Sequence, residues 1–195
     1  MKRYPEYKES SVEWVGEIPR HWRIVRGKFL LKNQKEINSD LQCNNLLSLT
    51  LNGVLRKDMN SAEGLRPSDY KTYQVFYPDN LVFKLIDLEN IQTSRVGIVP
   101  EKGVMSPVYI RLESNSDLHE RYYFYQYYDL YKKHIYNFLG KGVRSSLSPS
   151  NLLEIPLAFP PPSEQTQIAN FLDRKTEQID ELIRIKERRI ELLQE

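Results

Sequence analysis

The chain has 195 residues, 40% hydrophobic and 28% charged, with a formal net charge of +2. Nothing in that balance points to disorder, and it fits one domain plus an appendage. No apolar run approaches the roughly 18 residues of a membrane span, Met1–Glu6 lacks the apolar core of a secretory leader, and the single Cys43 excludes an intrachain disulfide, so a cytoplasmic protein without membrane contact is expected.

Residues 1–28 read as an irregular lead-in, in which Trp14 and Trp22 bracket Gly16 and Pro19 as a turn pinned to a core. From Trp22 to Leu31 the apolar spacing suits a strand followed by a short helix. Leu46–Leu51 is strand-like, Asn52-Gly53 is a tight-turn dipeptide, and Val54-Leu55 returns the chain. Ser68–Tyr73 reads as a loop or short helix. A dense β region follows: a turn at Asp79-Asn80, strands over Leu81–Ile86 and Val96–Val99, then strand, proline break and strand over Gly103–Leu112. Asp117–Leu139 changes period and predicts a tyrosine-rich helix whose rings lie on the sheet with their hydroxyls at its rim. Gly140–Ser146 is a basic loop, Leu147–Leu153 a capped helical turn, and Ile155–Phe159 a last strand.

Pro160-Pro161-Pro162 halts that strand, Ser163 is a natural N-cap, and Glu164 sits where the helix dipole favours a carboxylate. From there Ala169, Leu172, Thr176, Ile179, Ile183, Lys186, Ile190 and Leu193 form an unbroken heptad seam, predicting a helix of about 50 Å. Such a rod exceeds what its own domain can cover and reads as a spacer or pairing element. Phe171, Leu182, Ile185 and Leu192 make a second apolar stripe that predicts a second partner surface. The e positions Asp173, Asp180 and Glu187 are acidic, whereas Lys175 and Arg189 at g are basic, so charge favours a parallel homodimer. Exposed pairs of this kind contribute only about 0.2–1 kcal/mol each, and the expectation remains antiparallel pairing. The expected fold class is therefore α+β: a mixed globular domain at 1–160, with a small β-sheet or barrel, followed by a long coiled-coil helix at 161–195.

Catalytic patterns are sparse. The histidines, His21, His119 and His134, are scattered, and no glycine pattern cradles phosphate. Phe159-Pro160-Pro161-Pro162 lacks the polar first residue of a methyltransferase tetrad, and Lys175 reads as a flanking charge on the coiled-coil helix rather than part of a nuclease motif. Residues 163–195 carry six basic and eight acidic groups, against 22 and 18 in residues 1–162, so the globular part is the mildly basic one. Lys141, Arg144, Ser145 and Ser146, among glycines, have the chemistry of a phosphate-contacting loop.

Gly142–Ser148, Leu153–Leu157 and Pro160–Asp173 together resemble the end of a target recognition domain running into the spacer helix of the DNA specificity subunits of type I restriction–modification enzymes. Trp14, Gly16–Pro19 and Trp22 resemble the opening of such domains, and Gly97–Pro100, Gly103–Pro107 and Tyr109-Ile110 their middle. The resemblance implies a non-catalytic reader of double-stranded DNA that recognises one half of a split target. It implies partners in the methylation and restriction subunits, with S-adenosylmethionine, Mg and ATP expected only on those partners. Family members usually hold two recognition domains and two antiparallel helices. One of each here implies a half-subunit that homodimerises, or the first half of a longer chain. Candidate DNA-contacting residues are Arg66, Lys71, Tyr73, Arg95, Lys102, Lys141, Arg144, Ser145 and Ser146. The alternative is a coiled-coil adaptor whose basic domain binds protein.

Overall fold

The computed structural model describes residues 3–57, 70–89, 92–114, 119–140 and 146–194. The lead-in forms an antiparallel pair, β1 (Tyr7–Glu9) with β2 (Glu17–Pro19). β3 (Arg23–Arg26) and β4 (Leu31–Asn33) follow around a 3-10 turn at Gly27–Phe29, and β5 (Leu47–Thr50) and β6 (Gly53–Arg56) make a hairpin. Its register pairs Thr50 with Gly53, so the turn residues are Leu51 and Asn52, one place earlier than the sequence suggests. Gly53 takes φ +94°, a conformation that a side chain resists.

β7 (Gln74–Phe76), β8 (Leu81–Phe83), β9 (Val96–Ile98), β10 (Gly103–Met105) and β11 (Ile110–Ser114) supply the β region. The four-stranded sheet runs β4-β11-β8-β9, antiparallel throughout, and β10 pairs with β7. Among the described residues the sheets stay open, with no closed barrel. β8 explains the layering. Successive side chains of a strand point to opposite faces. Leu81 and Phe83 enter one core, with Leu112 and the helical tyrosines, and Val82 enters another with Leu49, Val54, Phe76 and Met105. A strand covered on both faces reads as an unbroken apolar run.

The tyrosine-rich segment is two helices, α1 (Glu120–Lys132) and α2 (Ile135–Leu139), rather than one. His134 separates them at φ +57°, a left-handed conformation that histidine tolerates better than most residues. The break folds Tyr136 back beneath α1, where its hydroxyl donates to the Tyr127 carbonyl at 2.8 Å. Tyr122, Tyr123, Tyr127 and Tyr136 are buried outright, so their hydroxyls lie within the core and not at its rim. α3 (Pro149–Leu153) starts from Ser148, whose side chain and Asn151 form a reciprocal capping box. β12 (Pro156–Phe159) then pairs with β3, and α4 (Pro162–Gln194) completes the chain. It starts one residue ahead of the Ser163 cap expected from the sequence, and the Glu164 and Gln165 amides donate to the Pro161 carbonyl.

The buried Tyr127 hydroxyl has no hydrogen-bond partner among the described residues, whereas that of Tyr136 does. A buried polar group left without a partner costs more than a made hydrogen bond contributes, so two similar substitutions should diverge. Tyr136→Phe should destabilise by about 1 kcal/mol, and Tyr127→Phe should be neutral or stabilising by up to about 1 kcal/mol. Chemical denaturation of the two variants checks this, and equal losses would contradict it.

Candidate nucleic-acid interface

β10 and β7 present the edge that carries most of the described candidates. Beneath it lies a small apolar cluster of Cys43, Leu46, Val75 and Val104, against which Tyr70, Tyr73 and Tyr77 pack. Lys71 is exposed on the 3-10 turn leading into β7, and Tyr73 is half-buried beside Tyr70, ring centroids 5.2 Å apart. Burial raises the Tyr73 hydroxyl above its ordinary range, aided by the neighbouring Tyr70 and Tyr109. Lys102 is exposed just before β10, its ammonium 5.2 Å from the centre of the Tyr77 ring. Asn45 fixes that corner, its side chain donating to the Lys102 carbonyl at 2.8 Å.

The arginines nearby are engaged with neighbouring groups, Arg111 in the interior and Arg56 at the surface. Arg111 is buried, donates to the Val75 carbonyl at 2.6 Å, and lies 3.7 Å from both Glu36 and Glu113. Arg56 pairs with Glu101. Lys71 and Lys102 are the exposed lysines of this edge, and flexible ammonium groups suit phosphate contact as point charges. Lys57 belongs with them: its amide donates to the Leu46 carbonyl, and Leu46 bridges to Val104 of β10. Lys57, Tyr70 and Tyr77 were missed by sequence reasoning. The recurrence of tyrosine at 70, 73 and 77 was the available signal.

Other candidates fall elsewhere. Arg95 is only 1% exposed, and its guanidinium donates to the Ile86 and Asp87 carbonyls at 3.4 and 2.6 Å. Burial pulls its pKa below the ordinary arginine range. It is a strut within the fold, not an exposed cation, which corrects the reading from sequence. Ser146 is exposed, next to Leu147, whose amide donates to the Leu85 carbonyl. That places it at the opposite end of the β8–β9 pair from Lys102. Arg66, Lys141, Arg144 and Ser145 lie outside the described residues. Among the described residues no group of His, Cys, Asp and Glu could hold a metal ion, and no helix is long and apolar enough to cross a membrane.

α4 divides into a docked base and an exposed arm. Ala169 is wholly buried in the chain's own core, and Phe171 and Leu172 are half-buried. Thr176 turns its hydroxyl to the Leu172 and Asp173 carbonyls. The start of the expected pairing seam thus serves the chain's own domain. From Arg174 onward the helix is exposed, with Ile179, Ile183, Lys186, Ile190 and Leu193 of the seam and Leu182, Ile185 and Leu192 of the second stripe all in solvent.

Two carboxylates anchor the base. Glu164 accepts from Tyr4 Oη at 2.7 Å, Trp22 Nε1 at 2.9 Å and His21 Nε2 at 2.7 Å. Asp173 accepts both guanidinium arms of Arg121, at 2.7 and 2.8 Å, and Tyr125 Oη at 2.6 Å. Partial burial alone would raise both carboxyls, but these donors outweigh it and hold each below the usual carboxylate range. Burial and the bond to Glu164 push the Tyr4 hydroxyl up to about 12. Asp173 also loses its place in the repulsive e row, since Arg121 neutralises it.

The sequence matches the family described as Type I restriction modification DNA specificity domain over residues 28–194. The chain belongs to that family. No curated protein matches it. Among solved structures it is similar to the HsdS subunit from Thermoanaerobacter tengcongensis, at 14% identity and TM-score 0.57 over 91% of this chain and 42% of that one. A chain from a structure of complex assembly and conformational transition in a type I R-M system matches at 14% identity and TM-score 0.55, over 90% of this chain and 42% of the other. The type I S subunit from M. genitalium matches at 17% identity and TM-score 0.52, over 83% and 41%. This specificity domain thus spans about two fifths of the length of the solved chains it matches.

Because both carboxyls titrate lower in the folded than in the unfolded chain, their stabilisation is complete above the unfolded carboxylate range near pH 4 and is lost as pH falls through the depressed folded values. Asp173→Asn should lower the melting temperature at neutral pH and flatten the acid limb of its pH profile. Identical profiles apart from a constant offset would contradict this assignment.

Proposed function

We propose that the chain is the DNA-reading component of a type I restriction–modification complex, recognising one half of a bipartite target and directing adenine methylation or restriction by partner subunits. The family membership and shared fold support the DNA-recognition role. The observation that carries the finer reading is the exposed arm of α4, with two apolar rows that the chain itself leaves uncovered. The seam row, Ile179, Ile183, Ile190 and Leu193 around Lys186, pairs with a second copy in antiparallel orientation. Leu182, Ile185 and Leu192 dock the methylation subunit. The reader itself performs no chemistry, and S-adenosylmethionine, Mg and ATP belong to the methylation and restriction subunits. Lys71, Tyr73 and Lys102 contact DNA from the β7–β10 edge, and Arg66, Lys141, Arg144, Ser145 and Ser146 contribute further contacts.

Methylation mapping of cells with and without this gene, beside a methylation subunit, tests the reading. A split adenine-methylation motif that depends on the gene is expected, and a palindromic one if the reader is a homodimer, because twofold-related readers meet identical half-sites. Unchanged methylation would favour a protein-binding adaptor instead. In the assembled complex, Lys102→Ala should weaken binding to all duplexes alike and reduce the salt slope by about one. Sedimentation should find a dimer that Ile183→Asp dissociates; a monomeric parent at micromolar concentration would remove the homodimer.

A further inference from the structure

Glu164 and Asp173 are nine residues apart, which at 3.6 residues per turn places them about 180° apart around α4 and about 13.5 Å apart along it. They are gripped by different parts of the domain. Tyr4, His21 and Trp22 of the lead-in hold Glu164, and Arg121 and Tyr125 of α1 hold Asp173. Between them the buried Gln165 donates to the Pro160 carbonyl at 3.0 Å and accepts from the His119 amide at 3.3 Å, and Ala169 closes on the core. Opposed grips on two flanks at two heights fix both the tilt and the rotation of a rod. The remaining helix, Arg174–Gln194, is an unsupported lever of about 30 Å. A tilt of about 10° at its base would displace the tip by about 5 Å, more than one base-pair step of about 3.4 Å.

We propose that Glu164 and Asp173 are positioning residues for target spacing: their two-sided clamp sets the direction of α4 and so the separation at which two reading domains meet DNA. This rests on the DNA-reading role above. The clamp touches no base, so loosening it relaxes the tolerated spacer length while leaving the half-site bases unchanged.

The first test needs no DNA. In a full-length Cys43→Ser background, spin labels at Lys35 and Glu187, diluted with unlabelled chain, report the distance between domain and arm. Asp173→Ala and Glu164→Ala should each broaden that distribution at least about twofold while helical content by circular dichroism is retained. Glu164→Gln, which keeps an acceptor oxygen, should restore part of the narrowness. Where an alanine variant does not fold, Asp173→Asn and Glu164→Gln are measured in its place and should broaden the distribution less. Unchanged widths would overturn the clamp. The second test uses the assembled complex on its mapped target with the spacer lengthened or shortened by one base pair. The variants should methylate these altered targets at least about fivefold better relative to the native spacing than the parent does. Broadened distances with unaltered spacer preference would overturn the positioning role. A parent that methylates no target removes the DNA-reading proposal, while the distance measurement still decides the clamp.

Discussion

Three residues without a solvent face organise the domain. Leu81, Val82 and Phe83 of β8 are fully buried, and their alternation divides the apolar interior into two cores on either side of the sheet. One core takes the tyrosines of α1, Leu157 of β12 and Ala169 of α4. The other takes the β5–β6 hairpin, Phe76 of β7 and Met105 of β10. The second core closes because the residue facing Val82 across the ladder is Gly97. A β-carbon there would stand 2.6 Å from a Leu49 methyl and 3.0 Å from Val54. The lysine-bearing edge and the helical arm are therefore tied to opposite faces of the same short strand, and both move with it.

The parts of this fold that were legible in the sequence are those specified locally. The Asn52-Gly53 signal located a hairpin, the capped-turn pattern of Leu147–Leu153 located α3, and the proline stop together with the heptads located α4. The break at His134 was not legible, because it accompanies a contact made outside the local helix pattern, Tyr136 Oη on the Tyr127 carbonyl. The heptad pattern also concealed a change of use. Ala169 occupies a seam position like Ile183, and only the packing shows that the first is taken by the chain's own core and the second is not.

The candidate interface was legible in composition more than in position. A basic loop residue and a basic strut look alike in sequence, and Arg95 became the latter because two carbonyls at Ile86 and Asp87 needed a donor within the fold. Arg56, Arg111 and Arg121 are likewise engaged with acidic neighbours. Arginine's fork suits such fixed pairing, and lysine's single mobile charge suits a surface that meets a phosphate backbone. At the β7–β10 edge the exposed lysines are Lys71 and Lys102, while Arg3, Arg20, Arg23 and Arg26 are exposed elsewhere in the globular part. Glu164 was read as a dipole-favoured carboxylate, but its three donors come from Tyr4, His21 and Trp22, far away in the chain.

The division of α4 into a held base and a free arm gives the helix a fixed phase. A residue inserted beyond Thr176 would advance everything after it by about 1.5 Å and turn it by about 100°. The apolar rows would then face a new direction relative to the lysine edge, although every side chain in them was unchanged. Only insertions or deletions close to a whole number of turns preserve that phase, with seven residues leaving a drift of about 20°. Length and facing are thus geared together in this arm: seven residues change its length by about 10 Å and eleven by about 16.5 Å, each with a residual turn of about 20°.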